Sequence, residues 1–97
     1  MLKKYQVKFL QSLAQNYKSA IQIGKKGLTD SSFKSIEENL IANELVKIKI
    51  LNNCGLDAKS TGKEIADYFD AEFITALGNT FVLYKENKDN RKINLPK

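Results

Sequence analysis

Two glycines three residues apart, with two lysines between them, are the part of this 97-residue chain best suited to binding a charged ligand: Gly24-Lys25-Lys26-Gly27, here called the glycine loop. Without side chains at its two ends, such a loop lets backbone amides approach a phosphodiester chain closely. A predicted helix follows directly, and the free N–H groups at a helix N-terminus also favour phosphate. The two lysines add affinity that falls as salt rises. Because the same spacing also occurs in ordinary strand-to-helix turns, its meaning depends on the charge around it.

Positive charge is gathered in the first third of the chain. Sixteen Lys and Arg residues against eleven Asp and Glu residues give a net charge of +5. Residues 1–29 contain six lysines and no acidic residue, whereas residues 30–44 contain four acids and one lysine, and residues 57–72 five acids and two lysines. The tail, residues 85–97, contains five basic and two acidic residues. The absence of acids over 29 residues favours a site for a polyanion over a merely solvated lysine face.

Several classes of chemistry are excluded by what the sequence lacks. Histidine is absent, which excludes a Ser-His-Asp triad, a Cys-His pair and a histidine-ligated metal. Cys54 is the single cysteine, so no internal disulfide forms and a reducing, cytoplasmic interior is expected. No apolar run is long enough for a membrane span. The sequence therefore predicts a non-enzymatic protein without metal, cofactor or small-molecule substrate.

Hydrophobic periodicity predicts the elements that position the glycine loop. Helices are expected at residues 3–17, 30–43 and 62–69, the last one opened by a capping box at Thr61 and Glu64. The first helix is expected to bury a stripe of Leu2, Tyr5, Phe9 and Leu13, which Leu10 and Tyr17 widen. Strands are expected at residues 20–23, 46–50, 73–77 and 80–84, the last two joined by a two-residue Gly-Asn turn.

The predicted order is α-β-α-β-α-β-β, which indicates an α/β chain of the α+β, two-layer type with a four-stranded mixed sheet. Two crossovers in the same direction place the second and third helices on one face, and the place of the first helix is left open. Residues 1–84 form a single domain, and residues 85–97 a basic polar tail that either frays or lies along the surface.

The first helix brings further lysines toward the glycine loop if it runs antiparallel to the first strand. In that arrangement Lys3 and Lys4 lie beside the loop and complete a continuous basic patch. Lys47 and Lys49 share one face of the second strand. There they either extend a binding surface or solvate an open face, and the pattern does not decide between the two.

Three blocks of the sequence resemble the signature of the CRM domain (chloroplast RNA splicing and ribosome maturation), in particular its single-domain bacterial YhbY-like branch. They are QIGKKGLT at residues 22–29, NELVKIKI at 43–50 and LGNTFVLY at 77–84. The resemblance implies a fold similar to the C-terminal domain of translation initiation factor three. It also implies binding to precursor RNA of the large ribosomal subunit during assembly, with ribosomal proteins as further partners. It assigns RNA contact to the glycine loop and to Lys4 and Lys8 on the first helix.

Charge and resemblance together define the predicted RNA-binding residues: Lys3, Lys4, Lys8, Gly24, Lys25, Lys26, Gly27, Lys47, Lys49 and Lys85. A second hypothesis from a different class is a protein-interaction module. In that case the acidic second and third helices dock a basic ribosomal protein or assembly factor, and RNA contacts are incidental.

Overall fold

A computed structural model describes residues 2–24, 27–51, 56–89, 91–93 and 95–96. Within these residues, three helices and four strands follow one another in the predicted order. They are α1 (Lys4–Gln15), β1 (Ile21–Ile23), α2 (Asp30–Asn43), β2 (Leu45–Ile50), α3 (Ala58–Phe69), β3 (Glu72–Leu77) and β4 (Thr80–Tyr84).

The strands form one mixed sheet in the order β1-β2-β4-β3. β1 pairs with β2 in parallel, and β4 pairs with both β2 and β3 in antiparallel fashion. β4 therefore lies between two strands that run in the same direction. The α+β class and the four-stranded mixed sheet are confirmed.

One face of the sheet is covered by α2 and α3, as the crossover pattern predicts. Alternate strand residues point to this face and meet apolar residues of both helices. Among the most deeply buried residues of this core are Ile23, Ile36, Ile48, Ile65, Phe81 and Leu83. α3 approaches the sheet closely because Gly62 has no side chain: a Cβ there would stand 2.6 Å from Cε1 of Phe73 and 2.9 Å from Cδ2 of Phe81.

α1 covers part of the opposite face and forms a second core with it. This core consists of Leu10, Ala14, Leu45, Ile74, Val82, Tyr84 and Ile93. The stripe predicted for α1 is confirmed for Leu10, which is fully buried, and wrong for Tyr5 and Phe9, which are 42% and 38% exposed. α1 carries two apolar stripes, and the one through Leu10 and Ala14 faces the sheet.

α3 begins at residue 58 and not at residue 62 as predicted. The predicted capping box is wrong, because Thr61 lies inside the helix and is buried. Asp57 caps the helix instead, and its carboxylate accepts a hydrogen bond from the backbone N–H of Ser60 at 2.9 Å. Hydrogen bonds from the backbone and the side chain of Ser60 hold the pKa of Asp57 below its usual value.

Glu44 is a fully buried acid that joins the tail to the domain. Its carboxylate accepts hydrogen bonds from the backbone N–H groups of Asn87 at 2.8 Å, Ile93 at 2.8 Å and Lys92. Its carbonyl oxygen accepts one from the N–H of Lys85 at 2.8 Å. Ile93 is buried in the second core. The described part of the tail therefore lies along the surface of the domain, one of the two arrangements that the sequence left open.

The sheet has two ends, here called the loop end and the tail end. At the loop end Ile23 pairs with Ile50, whose N–H donates to the carbonyl oxygen of Asn79 in the β3–β4 turn at 2.7 Å. Gly24, the end of β2 and this turn therefore lie side by side, and both α2 and α3 begin at this end of the sheet. At the tail end Tyr84 pairs with Leu45, and the chain continues into the tail.

Candidate nucleic-acid interface

The glycine loop joins the end of β1 to the start of α2. The N–H of Gly27 donates to the carbonyl oxygen of Gly24 at 2.9 Å, and Gly27 has a φ of 71°, which residues with a side chain rarely adopt. A Cβ at Gly24 would stand 3.8 Å from Cδ1 of Leu51, an ordinary contact. The described surroundings thus require glycine at position 27 but not at 24, which leaves the bare backbone at 24 available to a ligand. Lys25 and Lys26 lie outside the described residues.

Next to the glycine loop, the sheet face that carries α1 is left open. Residues on adjacent strands stand side by side here: Gln22 pairs with Lys49, Lys49 with Thr80, and Thr80 with Leu77. Gln22 and Lys49 are exposed, and Leu77 is 83% exposed. Because residues that pair directly across adjacent strands project to the same side of a sheet, all four share one face. We call Gln22, Lys49, Thr80 and Leu77 the open row.

A groove between α1 and β3 leads away from the open row. Leu77 lines the part next to the open row, which has a volume of about 300 Å³. Gln11 joins the two walls, since its Nε2 donates to the carbonyl oxygen of Ile74 at 3.3 Å. A second hollow on the other side of Gln11, lined by helix residues that include Lys4 and Lys8, extends the groove along α1, and both lysine side chains are exposed. Two predicted RNA-binding lysines therefore line the same surface as the open row.

Lys3 and Lys4 do not lie beside the glycine loop, so this sequence prediction is wrong. α1 crosses the sheet toward β3 instead of following β1, and its first turn meets the tail, where Nε2 of Gln6 donates to the carbonyl oxygen of Pro96 at 2.9 Å. With about 3.3 Å per strand residue and about 4.8 Å between strands, Glu72 in that corner lies roughly 20 Å from the end of β1. The start of α1 is therefore connected with the loop end through the groove.

Two predicted RNA-binding lysines donate hydrogen bonds inside the protein. Nζ of Lys47 lies 3.3–3.4 Å from two carbonyl oxygens at the end of α1. Nζ of Lys85 donates to the carbonyl oxygen of Phe69 at 2.7 Å, at the end of α3 and at the tail end of the sheet. Cations are favoured at helix C-termini because the last carbonyl groups carry partial negative charge. Lys49 differs, since the structure records no hydrogen bond from its ammonium to the described residues.

The acidic side chains of α2 and α3 lie on the other side of the molecule. Exposed acids of α2 and α3 include Glu37, Glu38, Glu64 and Asp67, and these helices cover the face opposite to the open row. In the described part of the chain, no group of three or more acidic or cysteine side chains is placed to hold a metal ion. Nor does any helix in the described ranges have the length and apolarity to cross a membrane. The sheet thus separates the acidic helices from the basic groove.

Sequence reasoning did not include Gln22, Thr80 or Leu77 among the binding residues. Strand alternation alone would have placed Gln22 and Lys49 on a face away from the main core. The missing information was the strand order, because Thr80 stands next to Lys49 only after β4 inserts between β2 and β3.

Comparison with known proteins identifies relatives over nearly the whole chain. The sequence profile of the CRS1 / YhbY (CRM) domain matches residues 2–85. A Bacillus subtilis (strain 168) protein named "Probable RNA-binding protein YqeI" is 38% identical over 96 residues, which cover 99% of this chain and 100% of that protein. A Haemophilus influenzae protein named "RNA-binding protein" is 30% identical over 95 residues, which cover 95% of this chain and 92% of that protein.

A similar fold has been solved in solution for a hypothetical protein from Staphylococcus aureus that is provisionally assigned to RNA binding. The two structures have a TM-score of 0.81 at 34% sequence identity, and the match covers 99% of this chain and 100% of the other. Sequence and structure comparisons therefore agree on one group of small, single-domain relatives.

Proposed function

Because the chain belongs to the CRS1 / YhbY (CRM) domain family, we propose that it binds precursor RNA of the large ribosomal subunit and assists the assembly of that subunit. The protein acts as a binding partner and catalyses no reaction, so it needs no cofactor or small-molecule substrate. Ribosomal proteins of the same precursor are its further partners. Because ribosomal precursors of bacteria are assembled in the cytoplasm, a protein that binds them is located there.

The observation that carries this proposal is the continuity of one basic and polar surface. The glycine loop lies next to the open row, and the open row leads into the groove that holds Lys4 and Lys8. No acidic residue lies within residues 1–29, which supply the loop, the helical wall of the groove and Gln22. An extended polyanion is the ligand that such a surface fits.

RNA is favoured over other polyanions by the relatives, two of which carry names that assign them to RNA binding. In the complex, phosphates approach the bare backbone at Gly24, and Lys25 and Lys26 neutralise them. Lys49 continues this positive charge onto the open row. The choice of large-subunit precursor RNA as the target rests on the family resemblance.

Lys4 and Lys8 extend the contact along the groove, and Lys3 adds charge at its far end. Lys47 and Lys85 contribute less, because their ammonium groups already bind carbonyl oxygens at the ends of helices. The RNA footprint thus covers one face of the sheet and the loop end.

Crosslinking in cells followed by sequencing of the attached RNA tests this function directly. We expect most crosslinked RNA to derive from the large-subunit precursor, with a glycine-loop variant, Lys25→Ala with Lys26→Ala, giving far fewer crosslinks. Reads spread over messenger RNA in proportion to its abundance would contradict the ribosomal target.

Reversing the charge of the acidic helices provides the matched control. The double variant Glu37→Lys with Glu38→Lys changes exposed residues of α2 on the opposite side of the sheet. It should crosslink to the same RNA as the wild type. If this variant lost its association with ribosomal particles while the glycine-loop variant kept it, the protein would be a docking module for a basic protein instead.

A further inference from the structure

α1 exposes two aromatic rings that the cores of the protein do not use. Tyr5 is 42% exposed and Phe9 is 38% exposed. The two residues are four positions apart, so their Cβ atoms are neighbours at about 6 Å on the helix surface. The stripe through Leu10 and Ala14 already attaches the helix to the sheet. We call Tyr5 and Phe9 the aromatic ridge, and burial within this chain does not account for it.

The aromatic ridge lies among positive charges. Lys8 follows Tyr5 by three positions and is therefore its neighbour on the helix surface, and Lys4 stands one turn before Lys8 in the groove. Nζ of Lys3 is 6.0 Å from the centre of the Tyr5 ring. α1 contains no acidic residue. A partner that covers the ridge therefore has to combine negative charge with flat apolar surfaces.

Unpaired nucleotides combine these two properties. Their phosphates carry the negative charge. Their bases stack on aromatic side chains whatever the RNA sequence, because every base has a flat face. In an A-form duplex the base faces are already stacked on one another, and the protein meets mainly phosphates and 2′-hydroxyl groups. The ridge thus distinguishes single-stranded from double-stranded segments, which lysines alone do not.

We propose that Tyr5 and Phe9 stack on unpaired bases of an RNA strand whose phosphates follow Lys4 and Lys8 along the groove. The protein accordingly prefers single-stranded or looped segments of RNA to continuous duplex. This inference rests on the proposed RNA binding and adds the kind of RNA structure that the surface selects.

Tyr68 offers a matched control for the aromatic ridge. It is 70% exposed on α3, on the other side of the sheet, and follows directly after Asp67. Its ring packs against Phe33 with 4.8 Å between centroids, so its contacts lie within the fold. An exposed tyrosine thus exists on both sides of the molecule, but only Tyr5 stands on a helix without acids.

The experiment measures the affinity of the full chain for a 12-nucleotide RNA strand of mixed sequence, used as the single strand and annealed to its complement. The double variant Tyr5→Ala with Phe9→Ala should bind the single strand roughly tenfold or more weakly, which is the loss typical of base–aromatic stacking. Duplex binding should change by less than about twofold, and the dependence on salt should stay the same because no charge is removed. Tyr68→Ala should leave both affinities unchanged.

The ring-retaining variant Tyr5→Phe with Phe9→Tyr should keep the single-strand affinity, which separates the loss of stacking from damage to the fold. An equal loss on single strand and duplex, or no loss at all, would overturn the proposal. So would unchanged RNA affinity combined with a shift from dimer to monomer in sedimentation, because the ridge would then be a contact between two copies. If the wild type bound neither RNA at low salt, the proposed RNA-binding function would be contradicted. If the wild type bound RNA but the loss of the two rings had no effect, only the role of the aromatic ridge would be contradicted.

Discussion

At the tail end of the sheet, polar side chains are engaged within the protein, whereas at the loop end they face solvent. The Glu44 carboxylate accepts hydrogen bonds from three backbone N–H groups of the tail, and the Lys85 ammonium donates to a carbonyl group of α3. At the loop end, Gln22 and Lys49 are exposed, and Gly24 keeps a bare backbone that its described surroundings do not require. A lysine thus occurs at both ends, bound within the protein at the tail end and exposed at the loop end.

The difference follows from the cost of burying polar groups. A buried carboxylate destabilises the fold unless donors surround it, so a site such as Glu44 has to be complete within the chain. An exposed lysine carries no such requirement and is available to a ligand. The comparison therefore predicts that substitutions at the tail end change stability, while those at the loop end change binding.

The largest effect is expected from Glu44→Gln. Replacing the carboxylate removes charge-assisted acceptors from the three tail N–H groups, which should lower the free energy of unfolding by about 3 kcal/mol. Urea denaturation followed by circular dichroism measures this loss. The folded fraction should still bind RNA with nearly the wild-type affinity, because the loop end is unchanged.

Glu38→Gln is the control for this change, since Glu38 is an exposed acid of α2 six residues before Glu44. It should unfold at the same urea concentration as the wild type. Equal stability of Glu44→Gln and Glu38→Gln would show that the tail is not held by the buried carboxylate.

A smaller loss of stability is expected for alanine at Gly62, and none for alanine at Gly24. An added Cβ at Gly62 would lie 2.6 Å from Phe73 and 2.9 Å from the buried Phe81, so Gly62→Ala should destabilise the protein by about 2 kcal/mol despite the better helix propensity of alanine. At Gly24 the same atom finds an ordinary contact, so Gly24→Ala should keep its stability but lose RNA affinity. Thermal unfolding and RNA titration of both variants test the pair, and a stable Gly62→Ala protein would contradict the close packing.

The smallest effect concerns Tyr84 at the tail end. Burial, helped by the negative charges of Glu44 and Glu86, raises the pKa of Tyr84 from 10.0 to about 12. The folded protein then keeps this proton to higher pH than the unfolded chain, so its contribution to stability is complete below pH 10 and declines as pH rises toward 12. Urea denaturation across this range should show the wild type losing stability relative to Tyr84→Phe as the pH rises. Parallel curves would contradict the raised pKa.

Local patterns in the sequence were sufficient for the order of elements, the bounds of α2 and β4, and the Gly-Asn turn. They failed where two local patterns competed. Asp57 and Thr61 are both of residue types that cap helices. Asp57 is the cap in the folded protein, and α3 packs against the sheet from residue 58 onward. α1 has two apolar stripes, and only the strand surface opposite determines which stripe is buried.

The candidate site could be predicted in part. The glycine loop and Lys49 follow from spacing and strand alternation, whereas the groove depends on where α1 crosses the sheet, which no pattern within the helix specifies. The part played by Glu44 was missed as well, because the donors to its carboxylate lie in the tail, 43 or more positions away along the chain. Long-range contacts of this kind leave no local signal.

The dependence of RNA affinity on salt tests the assignment of binding to the loop end most directly. Two variants remove the same charge: Lys25→Ala with Lys26→Ala at the glycine loop, and Lys88→Ala with Lys92→Ala in the tail. The glycine-loop variant should lower the slope of log affinity against log salt by up to about two units, and the tail variant should retain the wild-type slope. An unchanged slope for the loop variant, or an equal decrease for both, would contradict binding at the loop end.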